Sequence, residues 1–315
     1  MDKQVDERTI PYDHTHPASE DIFVGRNNIV NQLADGLRAG RSYGLIGQPG
    51  MGKTSTLLML QKRLLYTWTR TGTPAPIPIY FALNKRFLTN AGSLFEGLLA
   101  EFLRVLTEQH GLLLSLTERE ALITAARQGN LKEPLHTLSA WHYEHFSRSC
   151  RYILLLDGLH RGHGYDVLGE LISVLHPLVS SEDTVVRVSL VLAGELPLEQ
   201  EFRDDVSSLR ALLSDIRKLT PLAFNDVEAL IELAGDYGWS VEPECEKTLF
   251  TLTDGYPFKL HYYLFTALDR YGKMSNAIFQ AISEDRTTQT YLDRVLKQSS
   301  HPLQESRTIE IFYSY

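Results

Sequence analysis

A glycine-rich segment near the start of the chain has the residue types needed to bind phosphate. Residues 47–54 match the pattern G-x-x-x-x-G-K-[ST] at every specified position. Glycines in such a loop let successive backbone N–H groups point inward around an anion. Lys53 would reach the β- and γ-phosphates of a nucleotide, and the Thr54 hydroxyl would ligate Mg²⁺. The predicted nucleotide-binding residues here are Gly47, Gln48, Pro49, Gly50, Met51, Gly52, Lys53, Thr54 and Ser55.

An acidic residue at the end of an apolar run is the second candidate. Residues 152–156 are all apolar and Asp157 follows them, a pattern typical of a central parallel strand buried on both faces. A lone Asp at a strand end is usually a turn residue or a helix cap. A Mg²⁺ ion beside bound phosphates, however, requires a carboxylate nearby. Because Lys53 and Thr54 lie upstream, we predict that Asp157 holds Mg²⁺ together with Thr54.

Apolar periodicity indicates the elements that must position these residues. Short buried strands are predicted at 43–46, 77–83, 152–156, 185–193 and 216–222. Helices are predicted between them, one at about 53–66 and a helical insertion over about 87–150. Pro78 predicts that the second strand lies at a sheet edge. Strands that alternate with helices predict a parallel sheet covered on both faces, with the ligand at the carboxyl ends of the strands.

The sequence after residue 224 has a different pattern. Helical periodicity recurs at 225–237, 243–252, 257–271 and 276–296, separated by glycines. We therefore predict an α/β P-loop NTPase fold, a three-layer parallel sheet of about five strands, followed by a small all-helical lid domain. The predicted divisions are a polar N-terminal arm, the α/β domain, the lid and the start of a further segment or tail, at residues 1–21, 22–224, 225–300 and 301–315.

Composition limits the classes of function. The chain has 315 residues, with 31 Lys and Arg against 39 Asp and Glu, a net charge of −8 that argues against a globally basic nucleic-acid coat. Two cysteines, Cys150 and Cys245, provide neither a disulfide scaffold nor a thiolate metal site. We find no apolar run near the roughly 18 residues that a bilayer span requires, and we expect a cytoplasmic protein with no membrane partner.

Four segments, taken in order, resemble the AAA+/STAND-type P-loop ATPases, in particular the prokaryotic branch that runs from F-x-G-R to a late G-x-P. They are residues 23–26, 47–54, 156–158 and 253–257, and the resemblance covers about residues 22–300. It implies that ATP binds with Mg²⁺, that Val24 and Gly25 lie against the adenine, and that Pro257 closes over the base from the other side. Two simpler interpretations stay open: in one, Phe23 and Val24 only staple the first helix, and in the other, Pro257 is an ordinary first-turn proline.

Departures from the family pattern concern hydrolysis. AAA+ hydrolases normally carry a Glu directly after the strand-ending Asp, whereas Gly158 follows Asp157 here, so we expect slow hydrolysis. His160 is a candidate substitute, and Glu195 stands where family members often sense the γ-phosphate. Arg203 and Arg210 are candidate arginine fingers for a neighbouring subunit's nucleotide. All four also have ordinary interpretations as loop or surface residues.

The resulting hypothesis is an ATP-binding, Mg²⁺-dependent switch that controls self-association or a partner, in signalling or defence, with a homo-oligomer in the ATP state. One alternative is a DNA-associated AAA+ ATPase of the replication-initiator or transposition-helper kind. A third is a nucleotide-binding scaffold that does not hydrolyse ATP.

Overall fold

A parallel β-sheet forms the first part of the chain. The computed structural model describes residues 9–66, 75–83, 90–147, 149–159, 165–180, 186–195 and 211–298. Five strands pair in the order β2-β3-β4-β1-β5, and every pairing is parallel. They are β1 (Tyr43–Ile46), β2 (Ala75–Ala82), β3 (Cys150–Leu159), β4 (Val188–Gly194) and β5 (Asp215–Lys218).

The edges of the sheet follow from local chemistry. β2 is an edge strand, which confirms the prediction from Pro78, because proline cannot donate to a second neighbour. β5 is the other edge and is shorter than the predicted 216–222. Leu219 still donates its N–H to Ile46 O at 2.7 Å, but Leu222 donates to Gly255 O at 2.8 Å. The chain therefore leaves the sheet just after β5 and turns towards the helices that follow.

Helices cover both faces of the sheet, as predicted. The predicted helix at 53–66 is confirmed at the same bounds, and the insertion between β2 and β3 consists of three helices separated near Gly111 and Gly129. Both glycines have positive φ, of 70° and 86°, which suits the residue that follows a helix end. The helices are α1 (Asn27–Arg38), α2 (Lys53–Tyr66), α3 (Ala91–His110), α4 (Leu116–Arg127), α5 (Lys132–Phe146) and α6 (Tyr165–Ser180).

A helical region follows the sheet, and we call it the lid. Its helices are α7 (Phe224–Asp236), α8 (Cys245–Thr253), α9 (Pro257–Tyr271), α10 (Asn276–Glu284) and α11 (Arg286–Gln298). The single helix expected over 276–296 is split, because Asp285 is extended and its carboxylate accepts from the N–H groups of Thr287 at 3.0 Å and Thr288 at 3.3 Å. The lid also contains a short parallel pair that the sequence did not predict, β6 (Ser240–Val241) with β7 (Lys273–Met274).

Residues 9–18, which we call the arm, pack against the lid. Tyr12 is 2% exposed, and its hydroxyl donates to Leu230 O. The Trp239 Nε1–H donates to Thr9 O at 3.1 Å. At the other end of the arm, the Ala18 N–H donates to Ser55 Oγ on α2 at 3.0 Å. The arm, for which the sequence predicts only a polar character, therefore joins the lid to α2.

Several predicted features lie outside the described residues, namely His160, Arg203, Arg210 and the segment 301–315. Among the helices that the structure describes, none combines the length and apolar character needed to cross a bilayer.

Candidate functional site

The carboxyl ends of three neighbouring strands meet at the phosphate loop. Ile46, the last residue of β1, pairs with Gly194 at the end of β4, and Gly47 donates its N–H to Gly194 O at 3.2 Å. Asp157 lies in β3, which pairs with β4. Parallel strands bring these residues to one edge of the sheet, where ligands of open α/β sheets bind.

Two glycines shape the phosphate loop. Gly50 and Gly52 have φ of 72° and 80°, in the left-handed region that favours glycine. Each also lies too close to a neighbour for a side chain. A β-carbon at Gly52 would lie 2.7 Å from Arg26 Nη1, and one at Gly50 would lie 2.8 Å from Phe258 Cβ.

The Lys53 side chain is hydrogen-bonded to the backbone of this loop. Its Nζ donates to Gly47 O at 2.8 Å and to Gln48 O at 3.0 Å. Burial lowers the pKa of Lys53, the charges of Asp157 and Glu195 oppose that shift, and Arg26 adds to it. An anionic ligand at the loop would further favour the charged ammonium.

Asp157 is bonded to two hydroxyl groups. Thr54 Oγ1 donates to Asp157 Oδ2 at 2.6 Å, and Tyr80 Oη donates to the same oxygen at 2.9 Å. Asp157 is 7% exposed. The sequence analysis did not identify Tyr80, because its position depends on the strand register: Ala82 pairs with Asp157, and Tyr80 lies two residues earlier on the same face of β2.

The Thr54 and Asp157 pair fits a magnesium ion. Its oxygens are hard ligands, and Mg²⁺ typically takes one or two protein ligands and completes its shell with phosphate and water. The part of the chain that the structure describes contains no group of three or more His, Cys, Asp or Glu side chains placed to hold a metal. A site completed by phosphate oxygens needs no such group.

Arg26 is a further residue whose role the sequence did not predict. It is 5% exposed, and its guanidinium donates to Met51 O in the loop and to Thr220 O, at 2.9 Å, in the connection to the lid. Burial lowers the pKa of Arg26 to about 10, and Asp226 opposes that shift. Gly25 must be small here, since a β-carbon would lie 2.5 Å from Asp226 Oδ2.

The lid contacts the phosphate loop directly. Phe258, at the start of α9, donates its N–H to Gly50 O at 3.2 Å, and the Tyr256 hydroxyl donates to Pro49 O. Gly255 has φ of 69° and lies against the Leu222 carbonyl, so a side chain there would collide with it. The first turn of α9 is therefore held on the loop.

A cleft of about 360 Å³ lies between the loop, the lid and the arm. Seven of the predicted nucleotide-binding residues line it: Val24, Gly50, Gly52, Lys53, Thr54, Ser55 and Pro257. The other five do not line it. The carbonyls of Gly47 and Gln48 accept hydrogen bonds from Lys53, and that of Pro49 accepts one from Tyr256. Met51 is 3% exposed and lies in the core, and a β-carbon at Gly25 would collide with Asp226.

Glu195 follows β4 beside the same site. It is 8% exposed, and its charge acts on Lys53 and on Tyr256, whose pKa rises to about 12, mainly through burial. The structure therefore places Glu195 within electrostatic range of both the loop lysine and the lid.

Comparison with known proteins shows the fold. No protein-family model and no curated protein matches the chain. The Aeropyrum pernix ORC2 protein, solved as ADPNP-ADP complexes, has a TM-score of 0.56 and 15% identity over 92% of this chain and 73% of its own. The Aeropyrum pernix ORC1 protein in complex with DNA has a TM-score of 0.54 and 17% identity over 87% of this chain and 67% of its own. The Thermotoga maritima RuvB Holliday junction branch migration motor has a TM-score of 0.50 and 16% identity over 90% of this chain and 80% of its own. The chain therefore shares the fold of these structures, a five-stranded parallel α/β sheet followed by a helical region.

Proposed function

We propose that the protein is an ATP-binding, Mg²⁺-dependent AAA+ ATPase that acts as a nucleotide-controlled switch. The observation that carries this proposal is the contact between the lid and the loop that would hold phosphate. Phe258 and Tyr256 donate to carbonyls of the loop, whose N–H groups would donate to the ligand. A ligand that changes the loop conformation therefore changes the free energy of lid closure, which is the requirement for a two-state switch.

The residues have distinct roles in this proposal. Lys53 binds the β- and γ-phosphates, while Thr54 and Asp157 hold the metal, with Tyr80 orienting the Asp157 carboxylate. When bound, Mg²⁺ would neutralise charge on the phosphates. Val24 and Pro257 face the base from the two sides of the cleft. His160, Arg203 and Arg210 remain hypotheses from the sequence.

Glu195 is the proposed water-positioning residue. It is a largely buried carboxylate at the end of the strand next to that of Asp157. We expect Glu195→Gln to lower phosphate release about a hundredfold while leaving the Kd for ATP within threefold of wild type, since general bases typically contribute at least this factor. Single-turnover phosphate release and ATP titration measure the two effects. Glu232→Gln, an exposed change in the lid, is the control, and equal turnover in wild type and Glu195→Gln would contradict the role.

The switch itself is tested by measuring the molar mass of the protein in solution with ATP, with ADP and without nucleotide. We expect assembly of the wild-type chain with ATP and dissociation as ATP is converted to ADP. Assembly without any phosphate release would favour the non-hydrolysing scaffold. The same size in all three conditions would contradict control of self-association and leave control of a protein partner, in signalling or defence, as the remaining form of the proposal.

A DNA-associated ATPase is the second candidate function. It is favoured by the fold shared with the ORC1 protein solved with DNA and with the RuvB branch migration motor. The net charge of −8 argues against it. Fluorescence anisotropy with a labelled duplex in the presence of ATP tests it. Binding that weakens steeply with added salt would support it, and no binding at low salt would exclude it.

A further inference from the structure

The residues that line the cleft differ in chemistry. Lys53 and Arg26 carry the positive charge that phosphates require, whereas Val24 and Pro257 are apolar. Three histidines also line the cleft, His14 and His16 from the arm and His261 from α9. His16 is exposed and its Nδ1 pairs with Asp13 at 2.6 Å, whereas His14 and His261 each have a buried ring nitrogen without a partner among the described residues.

His261 is a buried residue with one ring nitrogen, Nδ1, that is unpaired in the part of the chain that the structure describes. It lies one turn after Pro257 on the same face of α9, lines the cleft and is 8% exposed. Its Nδ1 has no hydrogen-bond partner within the described ranges. Burial lowers the pKa of His261 to about 4, so the ring is neutral at physiological pH. A buried polar atom left unpaired costs about 1–3 kcal/mol, so folding alone does not explain a histidine here.

His14, a half-buried residue of the arm, also lines the cleft. Its ring packs against those of Tyr262 and Phe265, each at a centroid distance of 5.1 Å. Its Nδ1 also has no partner among the residues that the structure describes. Burial lowers the pKa of His14, with Asp13 opposing the shift. Two neutral imidazoles, each with a buried Nδ1 that is unpaired in the described part of the chain, therefore line one cleft.

We propose that His261 and His14 recognise the nucleobase of the bound nucleotide, so that affinity depends on the base as well as on the phosphates. This inference rests on the proposed function, in which a nucleotide places its phosphates on the loop. A neutral imidazole can donate or accept one hydrogen bond at the polar edge of a neutral base. Contact with the base would then offset the cost of burying the imidazoles.

A purely structural role for His261 predicts a different response to substitution. If the ring only fills space in the lid, replacing it should reduce stability and binding together. If it is retained for the base, an apolar side chain of similar length should preserve or raise stability, because an unpaired buried nitrogen is removed, while base-dependent binding is lost.

The experiment compares two ligands and two variants by isothermal titration calorimetry in the presence of Mg²⁺. ATP and inorganic tripolyphosphate share a triphosphate, but only ATP carries a base. We expect wild type to bind ATP more tightly, and His261→Met to weaken ATP binding about tenfold, the loss of roughly one hydrogen bond, with tripolyphosphate binding unchanged. The polar side chain of His261→Gln, matched in length to methionine, should restore most of the ATP affinity. The melting temperature of His261→Met should equal or exceed that of wild type.

Each outcome decides the inference. Wild-type ATP affinity in His261→Met, or equal affinity of the wild-type chain for ATP and tripolyphosphate, would overturn it and leave the proposed function intact. If His261→Met does not fold, His14→Leu in the arm provides the same test, with the exposed His176→Leu as control, and unchanged ATP binding would overturn the inference. Failure of the wild-type chain to bind either ligand would instead overturn the proposed function.

Discussion

Lys53→Ala should weaken ATP binding about a thousandfold and abolish ATP-dependent assembly. The Lys53 ammonium is partly buried at the loop and held there by the carbonyls of Gly47 and Gln48. Loss of one buried, hydrogen-bonded charge from such a contact costs about 2–5 kcal/mol. The fold should survive, because the main partners of the ammonium are backbone atoms at the cleft rim. ATP titration and mass-resolved size measurement report the two effects.

Lys62→Ala is the matched control for Lys53→Ala. Lys62 lies on the same helix, its side chain is 52% exposed, and it forms an exposed ion pair with Glu20 at 3.8 Å. Such pairs contribute about 0–1 kcal/mol, so ATP binding should match wild type. A Lys53→Ala chain that is folded by circular dichroism and binds ATP within tenfold of wild type would contradict the assignment of the phosphate loop.

Gly158→Glu should destabilise the protein by about 3 kcal/mol and leave phosphate release no faster. The substitution places a glutamate directly after Asp157, where AAA+ hydrolases normally carry one. Gly158 has φ of 86°, and its β-carbon would lie 3.1 Å from Leu83 O. Leu83 is held in place by its N–H bond to Asp157 O at 2.7 Å. The left-handed conformation costs about 1–2 kcal/mol for a residue with a side chain, and the backbone contact adds to this. Urea unfolding and single-turnover hydrolysis test both statements.

A substitution at Gly129 allows the cost of the left-handed conformation to be measured apart from the cost of the contact with Leu83. It has the same φ of 86°, but a β-carbon there would meet nothing within 4 Å. Gly129→Ala should therefore lose only the conformational part, about 1 kcal/mol, whereas Gly158→Ala should lose clearly more. Equal losses of unfolding free energy at the two positions would refute the role of Leu83, and faster hydrolysis by Gly158→Glu would refute the claim that the site excludes an adjacent glutamate.

Local sequence patterns predicted much of the fold. The α/β class, the parallel sheet, the edge position of β2 and the exact bounds of α2 and α9 are as expected. Each depends on apolar periodicity, a proline or a helix cap within a few residues. The two errors have different causes. The Asp285 carboxylate, inside the predicted helix, caps a new helix and splits the predicted one, and β5 ends early because the Leu222 N–H bonds to the Gly255 carbonyl in the lid.

The sequence by itself determined the phosphate loop, the strand that carries Asp157 and the helices that flank them, because backbone propensity and burial periodicity act over short separations. Only the tertiary structure decided which distant side chains meet there. Tyr80 reaches Asp157 across 77 residues of chain, and Tyr256 reaches Pro49 across 207. Arg26 and the imidazoles of His14 and His261 are likewise positioned by contacts that are distant in sequence. These contacts depend on strand order and on how the lid and arm pack, and no local pattern encodes either.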